Sequence, residues 1–527
     1  MTLGLGACSS WKTSGPPQTA VLITGGRVFG HPGADAVLIT GNRIAAVGKA
    51  VDLRAQAQTF ASHVDAAGAH ILPGLHDAHT HLMDGGLASF ELEISAQDKI
   101  NDIVKKVSRY AAKHPEQDRI LGRGWSYDIV PQGSFPSRRD LDQAAADKPV
   151  ILESYDGHAL WVNSRALELA KITPQTADPE GGKIAREANG VAQGVLLESA
   201  MELMQKALPP PDQKIRMAAL DSALQQYLEL GVTSVTDLSP LEDDSELKLF
   251  EELQKQGRLP LRVTACTVLG GNLNLYEKIR KQYQGPFLRL GPLKGFVDGV
   301  IESKTAYMLK PYQSGSERGG PRIPPDRLKE LVAAAHARGF TVALHSIGDA
   351  AVRLALDAFA EAAKRHPGIQ VRHRVEHAEV VDPNDLRRFK ALGTAASLQP
   401  LHSGPDSGVW AKNLGAKRVS LSFPFKALLA KDAILAFGSD WPVASNNPYL
   451  GIAAAASSIP VEEAVKAYTH GPAYAIGREN ELGKIEPGYL ADIVVLWPEI
   501  HLEKRSTLGK ARARAVIVDG RLSLRPN

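Results

Sequence analysis

Cysteine is almost absent: Cys8 and Cys266 are the only two in 527 residues. Two thiols cannot build the disulfide framework that staples small secreted domains, so the fold must rest on its hydrophobic core. Charge imbalance is absent too. Lys and Arg number 61 against 58 Asp and Glu, the net charge is +3, and no basic run gives a footprint for nucleic acid. Long apolar runs are missing as well: nothing approaches the ~18 consecutive apolar residues of a membrane-spanning helix. What remains is 44% hydrophobic and 23% charged residues, the composition of an ordinary globular chain long enough for more than one domain.

The first residues, MTLGLGACSS, lack something else. Leu5-Gly6-Ala7-Cys8 resembles the lipobox of bacterial lipoproteins, but no basic region and no apolar stretch of ~7–15 residues precede it. Two readings follow for residues 1–18. One is the tether of a longer exported precursor, lipid-anchored at Cys8 and therefore periplasmic or membrane-attached. The other is a disordered tail on a cytoplasmic protein.

From Thr19 onward, short β-rich runs such as AVLITGGRVFG and ADAVLITGNRIAAVG are punctuated by Gly-Gly and Gly-Asn. The C-terminus repeats that texture in LADIVVLWP and ARAVIVDGRLSL. Neither end has enough strands to close a core alone, so 19–72 with 483–527 is expected to form one composite β-sandwich.

Between the ends, strand and helix signals alternate, the pattern of a parallel sheet with crossover helices. Strand-like stretches are ILPGLHDAHTHL (71–82), GVTSVTDL (231–238), LRVTACTVL (261–269), GPLKGFVDG (291–299), GFTVALHSIG (339–348), VRHRVEHAE (371–379), TAASLQP (394–400) and AILAFGSDWP (433–442). Eight such units make a TIM barrel, expected over 73–482, with functional groups at the C-terminal ends of the strands. Residues 83–230 are too long for a simple connection. This insertion, with helices expected at 98–114, 164–169 and 212–230, a loop GRGWSYD (122–128) and a hairpin at 181–200, leaves the C-terminal end of strand one and should cap the barrel mouth. Trp125, Tyr155, His158 and Trp161 are expected in a substrate-pocket wall, although aromatics also serve as core within such an insertion.

The strand ends carry the chemistry. In ILPGLHDAHTHL, His79 and His81 fall on one side of an extended segment, aiming two imidazoles at one point. With 16 histidines in the chain, about 0.5 His-x-His occurrences arise by chance, so the pair means little alone. Lys294, His345, His377 and Asp440, however, sit near the ends of strands four, five, six and eight, and all converge on one mouth.

This order of residues resembles the amidohydrolase superfamily of metal-dependent hydrolases. The phrases GLHDAHTHL, GRGWSYD, DGHALWVNSRAL, KGFVDGVIESKTAYML, HSIGDAA, HRVEHAE, SLQPLH and GSDWPV resemble its YtcJ-like branch, which includes N-substituted formamide deformylase. The resemblance implies one or two divalent metals per chain, zinc above all. His79, His81 and Asp440 would hold the more buried metal, and His345 and His377 the more exposed one. Lys294 would bridge them as a carboxylated lysine, since an unmodified ammonium has no acceptor. It also implies a homodimer as the plausible assembly.

The expected function is hydrolysis of a C–N bond in a small amide-like molecule, an N-acyl or N-formyl amine or a cyclic amide, with Asp440 as general base for a metal-activated water. Two alternatives stay open: a metal-dependent esterase or lactonase, and a non-catalytic binding protein on the same barrel.

Overall fold

The computed structural model describes residues 20–524 apart from 57–61, 96, 116, 131–133, 155–158, 180–181, 302–303, 314, 404–406 and 503. The tail with Cys8 therefore lies outside the described residues. No helix among the described residues is long and apolar enough to cross a membrane. The chain divides into two compact units, one made of residues 1–82 with 221–527 and the other of 83–220.

The first unit is built on eight parallel strands: β1 (Leu75–Thr80), β2 (Val232–Leu241), β3 (Arg262–Val268), β4 (Leu288–Phe296), β5 (Val342–Ser346), β6 (Arg374–His377), β7 (Ala395–Leu398) and β8 (Leu435–Phe437). Each pairs with the next in parallel, giving one sheet in unbroken chain order. The two ends of that sheet meet just beyond β8. Asp440 N–H donates to His79 O at 2.7 Å, His81 N–H donates to Trp441 O at 2.9 Å, and Thr80 forms a bridge with Trp441. The sheet is thus a nearly closed barrel. Strands buried on both faces need continuous apolar sequence rather than alternation, as in AFG and VALHS. Amphipathic crossover helices such as Pro325–Ala337 and Asp349–Arg365 turn their Leu, Val and Ala rows inward.

The stretch Ile71–Leu82 is not one strand. His70–Pro73 pairs antiparallel with Ile493–Leu496 in a five-stranded sheet, and only after Gly74 does the chain enter β1. The reason lies across the fold: a Cβ on Gly74 would stand 2.2 Å from the Thr233 hydroxyl, so glycine marks the close pass where the chain changes sheets. A four-stranded sheet, in the order 43–48, 36–40, 20–24, 62–65, faces the five-stranded one. Val21, Ile23, Val37 and Ile39 share a single core with Ile71, Ile493, Val495 and Ile517.

The second unit contains a six-stranded sheet that the sequence reading does not anticipate. GRGWSYD reads as a loop, but Ile120–Trp125 is a strand, paired in parallel with Val150–Ser154 and Leu92–Glu93. Its glycines are explained by those distant partners. A Cβ on Gly122 would meet Leu92 O at 2.7 Å, and one on Gly124 would meet Ile94 O at 2.0 Å. The alternation of strand side chains then builds a core on each face: Leu152 and Trp161 join one cluster, Ile151 and Leu160 the other. The boundary between the units falls inside the helix Gln213–Glu229, about ten residues before the end expected for the insertion.

Candidate metal centre

At the C-terminal rim of the barrel, β1 delivers His79, the turn after it His81, and the turn after β8 Asp440. The nitrogen His79 Nε2 lies 3.3 Å from Asp440 Oδ1, and His81 Nε2 lies 3.0 Å from the same oxygen. Strand β6 ends at His377, whose ring centroid is 4.9 Å from that of His79, and β5 brings His345 to 4.4 Å from His377. One donor atom from each of His79, His377 and Asp440 lies within 4.8 Å of the other two. His377 also groups in this way with Glu379 and His402. His377 and Asp440 have φ of +72° and +57°, backbone that ordinary residues adopt only when their surroundings over-determine it, at a cost of about 1 to 3 kcal/mol each.

The imidazoles are oriented from behind. His79 Nδ1–H donates to Glu376 at 2.8 Å, His377 Nδ1–H to Gln399 Oε1 at 2.9 Å, and His345 Nε2–H to Gly299 O at 3.2 Å. Each bond occupies one nitrogen and leaves the other as a lone pair, the ligand form of the ring. Burial together with the Lys294 charge lowers His345 to about 3, and burial above all holds His377 well below the usual histidine range. Both are therefore neutral at physiological pH. Burial alone would raise Asp440, but His79 and His81, when their facing nitrogens carry a proton, hold its carboxyl well below the ordinary value. Glu376 is kept ionised in spite of its burial by Arg374, whose buried guanidinium also donates to Ala78 O at 2.7 Å and Ser397 Oγ at 3.1 Å.

These donors fit a divalent cation. His79 Nε2 is buried without a hydrogen bond, and with its Nδ1–H given to Glu376 it turns a lone pair towards a carboxylate oxygen. A proton or a cation between them relieves that repulsion.

Lys294 is fully buried on β4, its Nζ 5.1 Å from the Phe296 ring. Burial pushes its ammonium below the ordinary lysine range, against the pull of Glu376 and Asp440. His377 stands with His79 and Asp440, whereas His345 Nε2 is turned to Gly299 O, with Asp298 at 3.8 Å.

The expected pocket wall fares differently. Tyr155 and His158 lie outside the described residues. Trp125 and Trp161 are fully buried in the core of the second unit, their indole N–H groups donating to Leu152 O at 2.9 Å and Ser137 O at 3.0 Å. The alternation of their strands turns both side chains into the insertion's own core.

Several residues that matter here escape a reading of the sequence. Glu376 and Glu379 stand inside the phrase HRVEHAE and His402 inside SLQPLH, but only their partners give them roles. Asp77 is another. Its buried carboxylate accepts from Ser439 N (3.0 Å), Ser439 Oγ (2.6 Å), Tyr227 Oη (3.0 Å) and His79 N (3.1 Å), tying the segment before Asp440 to β1.

The profile of the family described as "Amidohydrolase family" matches residues 63–523. The protein YtcJ of Bacillus subtilis is 33% identical over 452 residues, covering 81% of this chain and 84% of that protein. The N-substituted formamide deformylase of Arthrobacter pascens is 27% identical, covering 88% of this chain and 90% of its own. An uncharacterized metal-dependent hydrolase of Pyrococcus furiosus superposes with a TM-score of 0.75 at 27% identity, over 90% of this chain and 98% of that one.

Proposed function

Because the chain belongs to the amidohydrolase family of hydrolases, we propose that it cleaves a C–N bond of a small amide-type substrate, such as an N-acyl or N-formyl amine or a cyclic amide, with the help of a divalent cation. The observation that carries this reading is the convergence of His79, His377 and Asp440 donor atoms within 4.8 Å around the unsatisfied Nε2 of His79. Those three residues with His81 would hold the cation, and zinc suits a donor set of imidazoles and a carboxylate. Bound there, such a cation supplies Lewis acidity, making a water more acidic and polarising the scissile carbonyl.

The chain's own residues do the rest. Asp440, ionised and at the rim, takes the proton of the attacking water and passes it to the leaving nitrogen, which departs as a neutral amine. Glu376 fixes the tautomer of His79, and Gln399 that of His377. Lys294 is a candidate for carboxylation. Its depressed ammonium gives a larger share of neutral amine, which adds to carbon dioxide with loss of one proton to form an anionic carbamate.

The test is a panel of formamides, acetamides, lactams and esters assayed on chelator-treated enzyme before and after addition of zinc or manganese. Turnover of an amide that disappears with chelation and returns with metal is expected. Turnover of esters alone would replace the C–N reading with an esterase, and protein that binds far less than one metal per chain under all conditions would overturn both.

A further inference from the structure

A concave site lies at the opposite end of the barrel from the metal donors. A cavity of about 320 Å³ opens at the N-terminal ends of β3, β4 and β5, lined by Arg280, Arg289, Arg478, Tyr283, Phe340 and Thr341 among others, and no carboxylate lines it. The volume is at the small end of the roughly 300 to 1,000 Å³ of small-molecule sites. Arg289 is the second residue of β4 and Lys294 the seventh, which separates the cavity from the metal centre by about 16 Å along that strand.

Three arginines line this one cavity, and two of them already have partners. Arg280 donates to the carbonyls of Gly339 and Arg338 at 2.9 Å each and stacks 3.8 Å over the Phe340 ring. Arg478 pairs with Glu481 at 2.5 Å and donates to Pro286 O at 3.2 Å. Arg289 has no carboxylate partner within ion-pair distance among the described residues. Burial, with the charges of Arg262 and Arg289, lowers Arg478 against the pull of Glu481, and burial lowers Arg280 against the pull of Glu277. Arg289 shares the cavity with Arg280 and Arg478 and is left without a carboxylate. An anion seated among the three would supply that partner, because the planar forks match phosphoryl and carboxylate oxygens in pairs.

We propose that this cavity binds a small organic anion, a phosphate monoester or a polycarboxylate, between Arg289, Arg478 and Arg280, at a site separate from the metal centre.

The full-length protein, stripped of metal by a chelator that is then removed by exhaustive dialysis so that no metal can bind the anion, is titrated calorimetrically with inorganic phosphate, glycerol 3-phosphate and citrate at fixed ionic strength. Saturable one-to-one binding of at least one probe is expected, weakened about tenfold or more in Arg289→Met, the loss of one charge-assisted bidentate contact. Glycerol 3-phosphate binding tighter than citrate identifies the ligand as a phosphate ester, and the reverse as a polycarboxylate. Should Arg289→Met fail to fold by circular dichroism, phenylglyoxal labelling of the native protein gives the same answer: the preferred anion should protect Arg289 from modification. Failure of all three probes to bind below about 10 mM, binding unchanged in Arg289→Met, or labelling of Arg289 unaffected by anion overturns the proposal.

Discussion

Asp440 answers two demands at once, since the oxygen that approaches His79 and His81 belongs to the carboxylate proposed to accept a proton. Replacing it with Asn keeps the size and one coordinating oxygen but removes the basicity. Asp440→Asn should therefore retain much of its metal, measured by mass spectrometry of the metal content, while kcat falls on the order of 10²-fold or more. A metal-replete variant within about tenfold of the native rate would make Asp440 an orienting residue only. His79→Ala should lose metal and activity together. Away from the site, His373 offers a test by pH. It is buried against the Phe359 ring, accepts Val342 N–H at Nδ1 (3.1 Å), shares a hydrogen bond with His336 (2.9 Å), and burial lowers it to about 3. A folded-state value below the unfolded one means that the unfolded chain takes up a proton the folded chain refuses. Stability should thus be complete above about pH 6.5 and fall by up to about 1.4 kcal/mol per pH unit from this residue as the pH drops towards 3. Urea titrations at pH 7 and 5 should show a smaller difference for His373→Asn than for the native protein.

The joint between β1 and the segment after β8 is the element on which the centre depends. Gly438 lies where a Cβ would stand 2.4 Å from His79 N and 2.8 Å from His79 Cβ, and backbone cannot give way as a flexible side chain can. Gly438→Ala is expected to cost about 1 to 3 kcal/mol and to lower metal affinity, because relief must move His79 or Asp440. Gly368→Ala, with open space around it, should be close to neutral in the same thermal and metal-binding assays. Elements also mark where sequence reading succeeds. The barrel strands are apolar runs bounded by glycine and polar turns, so AILAFGSDWP and GFTVALHSIG announce themselves locally. GRGWSYD does not, because its strand exists only through partners about 30 residues away on either side, and its two glycines read as turn signals until Leu92 and Ile94 are placed beside them.

For the whole molecule, one link between the barrel and the C-terminal segment is a buried ionic cluster. Arg262 at the start of β3 donates to Asp492 at 2.7 and 2.9 Å and to Asp519 at 3.0 Å, with Arg262 and Asp492 almost fully buried. Removing the cation alone strands two carboxylates, so Arg262→Leu should lower the unfolding free energy by about 3 to 5 kcal/mol, read from urea midpoints at unchanged m-value. A loss under about 1 kcal/mol would mean that water satisfies Asp492 and Asp519 without the arginine.

What the sequence determined by itself are features encoded over a few residues: eight strand runs in a single alternating series, and histidines, a lysine and an aspartate near the ends of those runs. Tertiary structure decided everything that depends on which distant groups meet. Glu376 orients His79 across 297 positions of chain, Asp77 holds Ser439 across 362, and Ile71–Leu82 divides between two sheets at Gly74 because Thr233 passes there. Periodicity is a local property of the chain, whereas the direction in which a lone pair points is settled only when the barrel closes and each imidazole gives one of its two nitrogens to a neighbour.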